Sequence, residues 1–281
     1  MARVALIVTG SVEKAGLAAS LQRAFPGTEF ETQQVDSFTS SRVGSRPSGT
    51  SLPGVVDKLA RALVAAVEPG RNGTPPDLAI AVDDLELVNL DQPGIVVEEF
   101  RKAVDRHVNE HDWNEPRRSR ARDRLRARAS FHLMVPMIEA YFFASSVSLA
   151  AAGVIDGSTS IPDGDPEAFA ATDPVYLGAS PGQDPSRWPN SSNWAKAGRE
   201  GHPKWYLQYL LEPTSYRETK QGLAALKATH WRSIVAKQAS QLCFARSLLS
   251  DLARGLDLPE GTISGDVHPS TSGVGRVLRN I

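Results

Sequence analysis

Three observations predict an α/β fold built on a parallel sheet for this chain of 281 residues. Apolar runs of strand length alternate with segments of helical spacing, the order of a doubly wound sheet with right-handed crossovers. The clearest run, Leu78 to Val82, follows a Pro-Pro breaker and leads directly into Asp83, Asp84 and Glu86, so it reads as a buried parallel strand with carboxylates at its carboxyl end. A hydrophobic content of 41% is sufficient for a core of that size.

The elements follow in order. Ala2 to Thr9 is an apolar strand ending at Gly10, and Val12, Leu17, Leu21 and Phe25 give the next segment helical spacing. Thr28 to Val35 alternates as a second strand. Ser37 to Pro53, rich in Ser, Thr, Gly and Pro and carrying Arg42 and Arg46, has no period and is expected to be a mobile loop. Gly54 to Val67 is a helix stopped by Pro69-Gly70, and the acidic strand comes next. Ile95 to His111 and Arg117 to Arg128 are read as helices, Ser130 to Pro136 as a fourth strand, and Met137 to Ala152 as one apolar helix. Residues 1–152 are thus expected to form the α/β unit and Gly153 to Gly201 a Pro/Gly-rich insertion with little regular structure. A helical region over 202–258, including one helix from Ile234 to Leu256, is expected to pack on the α/β unit, with a flexible tail over 259–281.

The formal net charge of -1 excludes a globally basic nucleic-acid binder but leaves room for separate charged faces. The single cysteine, Cys243, excludes a disulfide framework and reads as a packing residue, which fits a cytoplasmic protein. No apolar run approaches the ~18 to 20 residues that cross a bilayer, and Met1 leads into a strand rather than a signal sequence, so neither membrane nor export is expected.

The candidate chemistry is carboxylate chemistry. Asp83, Asp84 and Glu86 crowd three anions into four residues, where ligands of open α/β sheets bind, and a hard divalent ion is an efficient way to neutralise them. A solvated turn that caps the next helix accounts for the same residues. Glu139 stands in nearly continuous apolar sequence, where burial without a partner is costly, and it is expected to reach a cation, an arginine or first-turn amides. Glu13 lies in the first turn of its helix and suits the helix dipole in any case. Arg117, Arg118, Arg120, Arg122, Arg124, Arg126 and Arg128 put seven guanidiniums in twelve residues, suited to phosphate-backbone contact or to a salt-bridged solvated helix. His107 and His111 share a helical face without the glutamate of a zinc-protease motif. A second basic population, with Lys204, Arg217, Lys220, Lys227, Arg232 and Lys237, is interleaved with Trp205, Tyr206, Tyr209 and Trp231, which are core residues more often than base-stacking platforms.

Three blocks, ALIVTGSVEKAGL, AIAVDDLE and VPMIEAYFFAS, resemble in their order a prokaryotic Toprim-like family of unknown function, often encoded beside ATPases in defence or mobile loci. The resemblance implies a four-stranded parallel sheet between helices and a magnesium or manganese site that acts on phosphodiesters. In the family an opening-strand glutamate and an Asp-x-Asp pair serve that site. Here Thr9 stands where that glutamate would, Glu13 matches a second acid, and Asp84-x-Glu86 or Asp83 supplies the second motif. The expectation is a metal-dependent nuclease with antiviral defence as its setting. Glu13, Asp84 and Glu139 are its catalytic candidates, Asp83, Asp84, Glu86 and Glu139 its metal ligands, and Arg117, Arg118, Arg120, Arg122, Arg124 and Lys204 its nucleic-acid contacts. The alternative is a catalytically degraded subunit that binds DNA or RNA or a partner ATPase; a homo-oligomer is left open.

Overall fold

The computed structural model describes residues 1–45, 54–70, 73–155, 165–182, 184–236, 241–259 and 261–268. Arg46, Lys237 and the tail beyond residue 268 lie outside the described residues. Four strands, β1 (Ala2–Val8), β2 (Thr28–Gln34), β3 (Leu78–Asp84) and β4 (Ala129–Met134), form one all-parallel sheet in the order β2-β1-β3-β4. Between the first three strands run α1 (Ser11–Ala24) and α2 (Gly54–Val67). Helices α3 (Pro93–Glu110) and α4 (Glu115–Arg128) connect β3 to β4. The predicted fold class holds: an α/β chain with a four-stranded parallel sheet flanked by helices.

Alternation along the central strands divides the core in two. Val4, Leu6 and Val8 of β1 and Leu78, Ile80 and Val82 of β3 face α1 and the carboxyl-terminal helices. Ile7, Ala79 and Ala81, with Phe131 and Leu133 of β4, face α2, α3 and α4. The rings of Phe100 and Phe131 stack 4.2 Å apart on that second side. Burial on both faces is why the central strands read as continuous apolar runs, whereas the edge strand β2 keeps an outward row of polar side chains.

Two expected helices need correction. The apolar stretch after β4 is not one helix. A 3-10 segment, Ile138–Ala144, ends at Ser145, whose hydroxyl caps α5 (Ser146–Ala152) by accepting from the Ser148 N–H. The helix expected from Ile234 to Leu256 is likewise divided. The chain runs through α6 (Pro174–Gly178), α7 (Ser191–Trp194), α8 (Pro203–Leu210), α9 (Leu223–Ala228) and α10 (Trp231–Val235) to α11 (Cys243–Gly255). The described residues of 153–201 form only short helical turns joined by irregular chain, and their aromatics are core residues. Phe169, Tyr176, Trp188 and Trp194 join the α1-side cluster, with Tyr176 4.8 Å from the Tyr206 ring. Tyr206 and Trp231 are buried there too, and Trp231 Nε1 donates to the Ser20 hydroxyl at 2.9 Å.

The described part of the expected mobile loop, residues 37–45, is pinned. Asn89 donates from Nδ2 to the Thr39 carbonyl and accepts at Oδ1 from the Val43 N–H, while Gln92 donates to the Val43 carbonyl. Low local hydrophobicity suggests mobility, but two buried amides replace the missing apolar contacts with hydrogen bonds. Among the described residues no helix is long and apolar enough to cross a membrane.

Candidate functional site

Parallel strands put all their carboxyl ends on one rim, and there the distant acids meet. A cavity of about 300 Å³ is lined by Glu13, Asp83, Asp84, Glu86, Glu139 and Glu218, with Lys204, Thr9 and His202 on its wall. Glu13 comes from the first turn of α1, the aspartates from the end of β3, Glu139 from the 3-10 segment after β4, and Lys204 and Glu218 from the helical region that follows.

Each acid has a local reason for its place. The Glu13 side chain folds back over Gly10, where a Cβ would overlap its carboxylate, so the glycine is required for close approach rather than for an unusual backbone angle. Asp83 and Asp84 are adjacent in a strand and therefore face opposite sides of the sheet. Asp83 lies on the α2 side, 1% exposed, accepting from the Thr9 hydroxyl and from Thr39 Oγ1 at 3.2 Å. Asp84 lies on the α1 side and accepts the Ile138 N–H at 3.0 Å. Glu86 ends the motif at φ 63°, a left-handed conformation unfavourable for a side chain with Cβ, held by its N–H bond to the Pro136 carbonyl. Glu139 is 5% exposed and accepts from Tyr216 Oη at 3.0 Å.

The electrostatics follow from burying like charges together. Burial, then the charges of Glu139, Asp83 and Glu218, push the Glu13 carboxyl up to about 7. Burial raises Asp83 to about 6 against the hydrogen bonds of Thr9, Ser37 and Thr39. Burial and the charges of Glu13, Glu139, Glu86 and Asp83 hold Asp84 well above the ordinary carboxylate range. Burial lifts Glu86 and Glu139 as well, and Lys204 opposes it in both. Lys204 is ion-paired with Glu218; burial works against its charge, but that bond and the charges of Glu139 and Glu86 keep its pKa raised. At the rim, His202 stacks on Trp205 at 4.0 Å, and burial, then Lys204 and Lys196, lower the imidazole to about 4.

The donor set is all oxygen and short of positive charge, which in kind suits a hard divalent ion. It is not preassembled: among the described residues no three His, Cys, Asp or Glu side chains are set as ligands of one ion. Asp83 and Asp84, adjacent on one strand, do not chelate side by side. Thr9 takes no carboxylate role; its hydroxyl serves Asp83.

The structure separates the arginines from this rim. Helix α4 leads straight into the first residue of β4, so it sits at the amino edge of the sheet, where Arg128 donates to the Pro76 carbonyl ahead of β3. A strand of seven residues spans about 23 Å. Arg117, Arg120 and Arg124 converge on Glu68, while Arg118 and Arg122 pair with Glu115. Of the expected nucleic-acid contacts, Lys204 alone lines the carboxylate cavity.

Thr39, Tyr216, Glu218 and His202 complete the surroundings of these acids without a motif in the sequence. Nothing near them marks a site; they arrive by long-range packing. A buried Ser130–His132–Asp251 contact carries the residue types of a hydrolase triad, but both neighbours approach the same imidazole nitrogen, Nε2, and all three residues are shut away from solvent. It ties α11 to β4. Compared with protein-family models, curated proteins and solved structures, the chain matches none.

Proposed function

We propose that the carboxylate cavity is a metal-dependent site acting on nucleic-acid phosphodiesters, as the Toprim-like resemblance implies, with prokaryotic defence as the setting. The observation that carries this reading is the convergence of Glu13, Asp83, Asp84, Glu86 and Glu139, from three separate stretches of chain, on one cavity beside Lys204. Crowding of this kind raises the energy of the empty fold and is what a cation site needs. Asp83, Asp84, Glu86 and Glu139 are the acids that would hold magnesium or manganese, and because they are not set as ligands in the empty fold they would have to close around the ion on binding; the ion would polarise the phosphate and lower the pKa of a coordinated water. Glu13, near 7, has the affinity to take a proton from attacking water at neutral pH and return it to the leaving oxygen. Lys204, on the cavity wall and ion-paired with Glu218, would meet a non-bridging phosphate oxygen.

The test is cleavage of single- and double-stranded DNA and RNA with magnesium or manganese. Asp84→Asn should abolish cleavage while leaving the protein folded; full cleavage by the folded variant would remove the mechanism. A second reading, a catalytically degraded subunit that binds nucleic acid or a partner ATPase, is favoured by Thr9 and by the ligand set that is not preassembled. Calorimetric titration separates the two, because no uptake of magnesium or manganese at millimolar concentration belongs to the second alone.

A further inference from the structure

The amino edge of the sheet carries a charge imbalance of the opposite sign. Arg117, Arg120 and Arg124 are spaced three and four apart, so they share one face of α4, and all three are aimed at Glu68, just beyond the end of α2. Arg120 Nη2 stands 3.0 Å and Arg117 Nε 3.4 Å from Glu68 Oε1, and Arg124 reaches Oε2. The Glu68 side chain is 4% exposed, so three guanidiniums are held by one buried carboxylate, an excess of two positive charges. They border a hollow of about 350 Å³ together with Gly70, Gly73 and Pro75. A second hollow of about 450 Å³ shares Glu68, Gly70 and Arg117 with the first and is lined by His107, His111 and Trp113.

Two buried donors of residues that line these hollows make no hydrogen bond among the described residues. Arg117 Nε is shielded from solvent and only ion-paired, and Trp113 Nε1 belongs to a side chain that is 7% exposed. Buried donors without acceptors are uncommon and costly. Excess positive charge and guanidinium forks fixed by a common carboxylate both ask for an acceptor-rich anion.

We infer that the Glu68-anchored arginine cradle is a second binding site, one that takes phosphate groups, independent of the carboxylate cavity and at the opposite edge of the sheet. The forks of Arg117, Arg120 and Arg124 receive the phosphate oxygens, and the adjoining hollow accommodates what the phosphate is attached to. A free nucleotide and a nucleic-acid backbone both present this chemistry.

The experiment is calorimetric titration of the full chain at low ionic strength, with a chelator present so that no metal takes part. The probes are sodium pyrophosphate, a mononucleotide and a short single-stranded oligonucleotide. The wild type should bind at least one of them, and Arg120→Gln, at a half-exposed position that leaves the core untouched, should weaken that binding about tenfold. Arg117→Gln with Arg120→Gln should remove it, thermal melts confirming that both proteins are folded. Binding of the small probes assigns a free phosphorylated ligand; binding of the oligonucleotide alone assigns a nucleic-acid backbone. No binding of any probe by the wild type, or equal binding by wild type and the folded double variant, overturns the inference. Because the readout needs neither metal nor cleavage, it fails or succeeds separately from the carboxylate site.

Discussion

Replacing Glu13 by Gln should make the metal-free protein more stable while destroying the proposed activity. The carboxyl is 6% exposed and its pKa is lifted from 4.5 to about 7 by burial and by its acidic neighbours. A raised carboxyl pKa means that the folded state binds the proton more tightly than the unfolded state. The contribution of this group to stability is therefore greatest below pH 4.5 and is lost as pH rises through 7. At about 1.4 kcal/mol for each pH unit, the full lift costs about 3 kcal/mol at pH 8. The amide removes that cost at nearly constant volume, and for a chain of this size the melting temperature should rise by about 3 to 6 °C at pH 8. At pH 5 the wild-type carboxyl is mostly protonated, and the difference should fall below about 1 kcal/mol. Thermal melts of both proteins at pH 5 and pH 8, with a chelator present, measure this directly. Added magnesium should then raise the wild-type midpoint and move the variant less. A lower midpoint for Glu13→Gln at pH 8, or an advantage that does not shrink on acidification, would refute the electrostatic account.

Two more outcomes follow from the same geometry. Gly10→Ala places a Cβ where the Glu13 carboxylate lies, and because only a side-chain end must move, stability should change by less than about 1 kcal/mol. Cleavage should nevertheless fall about 100-fold, as displacements of about 1 Å do at reacting groups; melts and cleavage rates on one preparation compare the two effects. Thr39→Val keeps shape but removes the hydroxyl that serves Asp83 and the Asp84 carbonyl. Chemical denaturation should report a loss of about 1 to 3 kcal/mol, with faster hydrogen exchange at the Val43 amide as the segment it pins loosens.

The legible part of the fold rested on local periodicity. The range predicted for α2 is the range observed, because its apolar stripe and the Pro69-Gly70 stop are both local signals. The aspartates were placed at a strand end because apolar residues buried on two faces cannot accommodate ions until the strand leaves the core. The continuous apolar stretch from Met137 to Ala152 was less informative: hydrophobicity alone does not distinguish a 3-10 segment from an α-helix, and the capping Ser145 was the local cue that divides it.

By itself the sequence determined the four strands, their helical crossovers and the presence of acids at the carboxyl ends, since each depends on neighbours a few residues away. Only the tertiary structure decided what surrounds those acids. Lys204 and Glu218 reach the cavity across dozens of residues of chain, Tyr216 donates to Glu139 on its wall, and Thr39 holds Asp83 from a segment with no period of its own. The arginine helix went to the other edge for a topological reason: a helix that feeds the first residue of a strand must end at the sheet's amino side, however well its charge would suit the opposite rim.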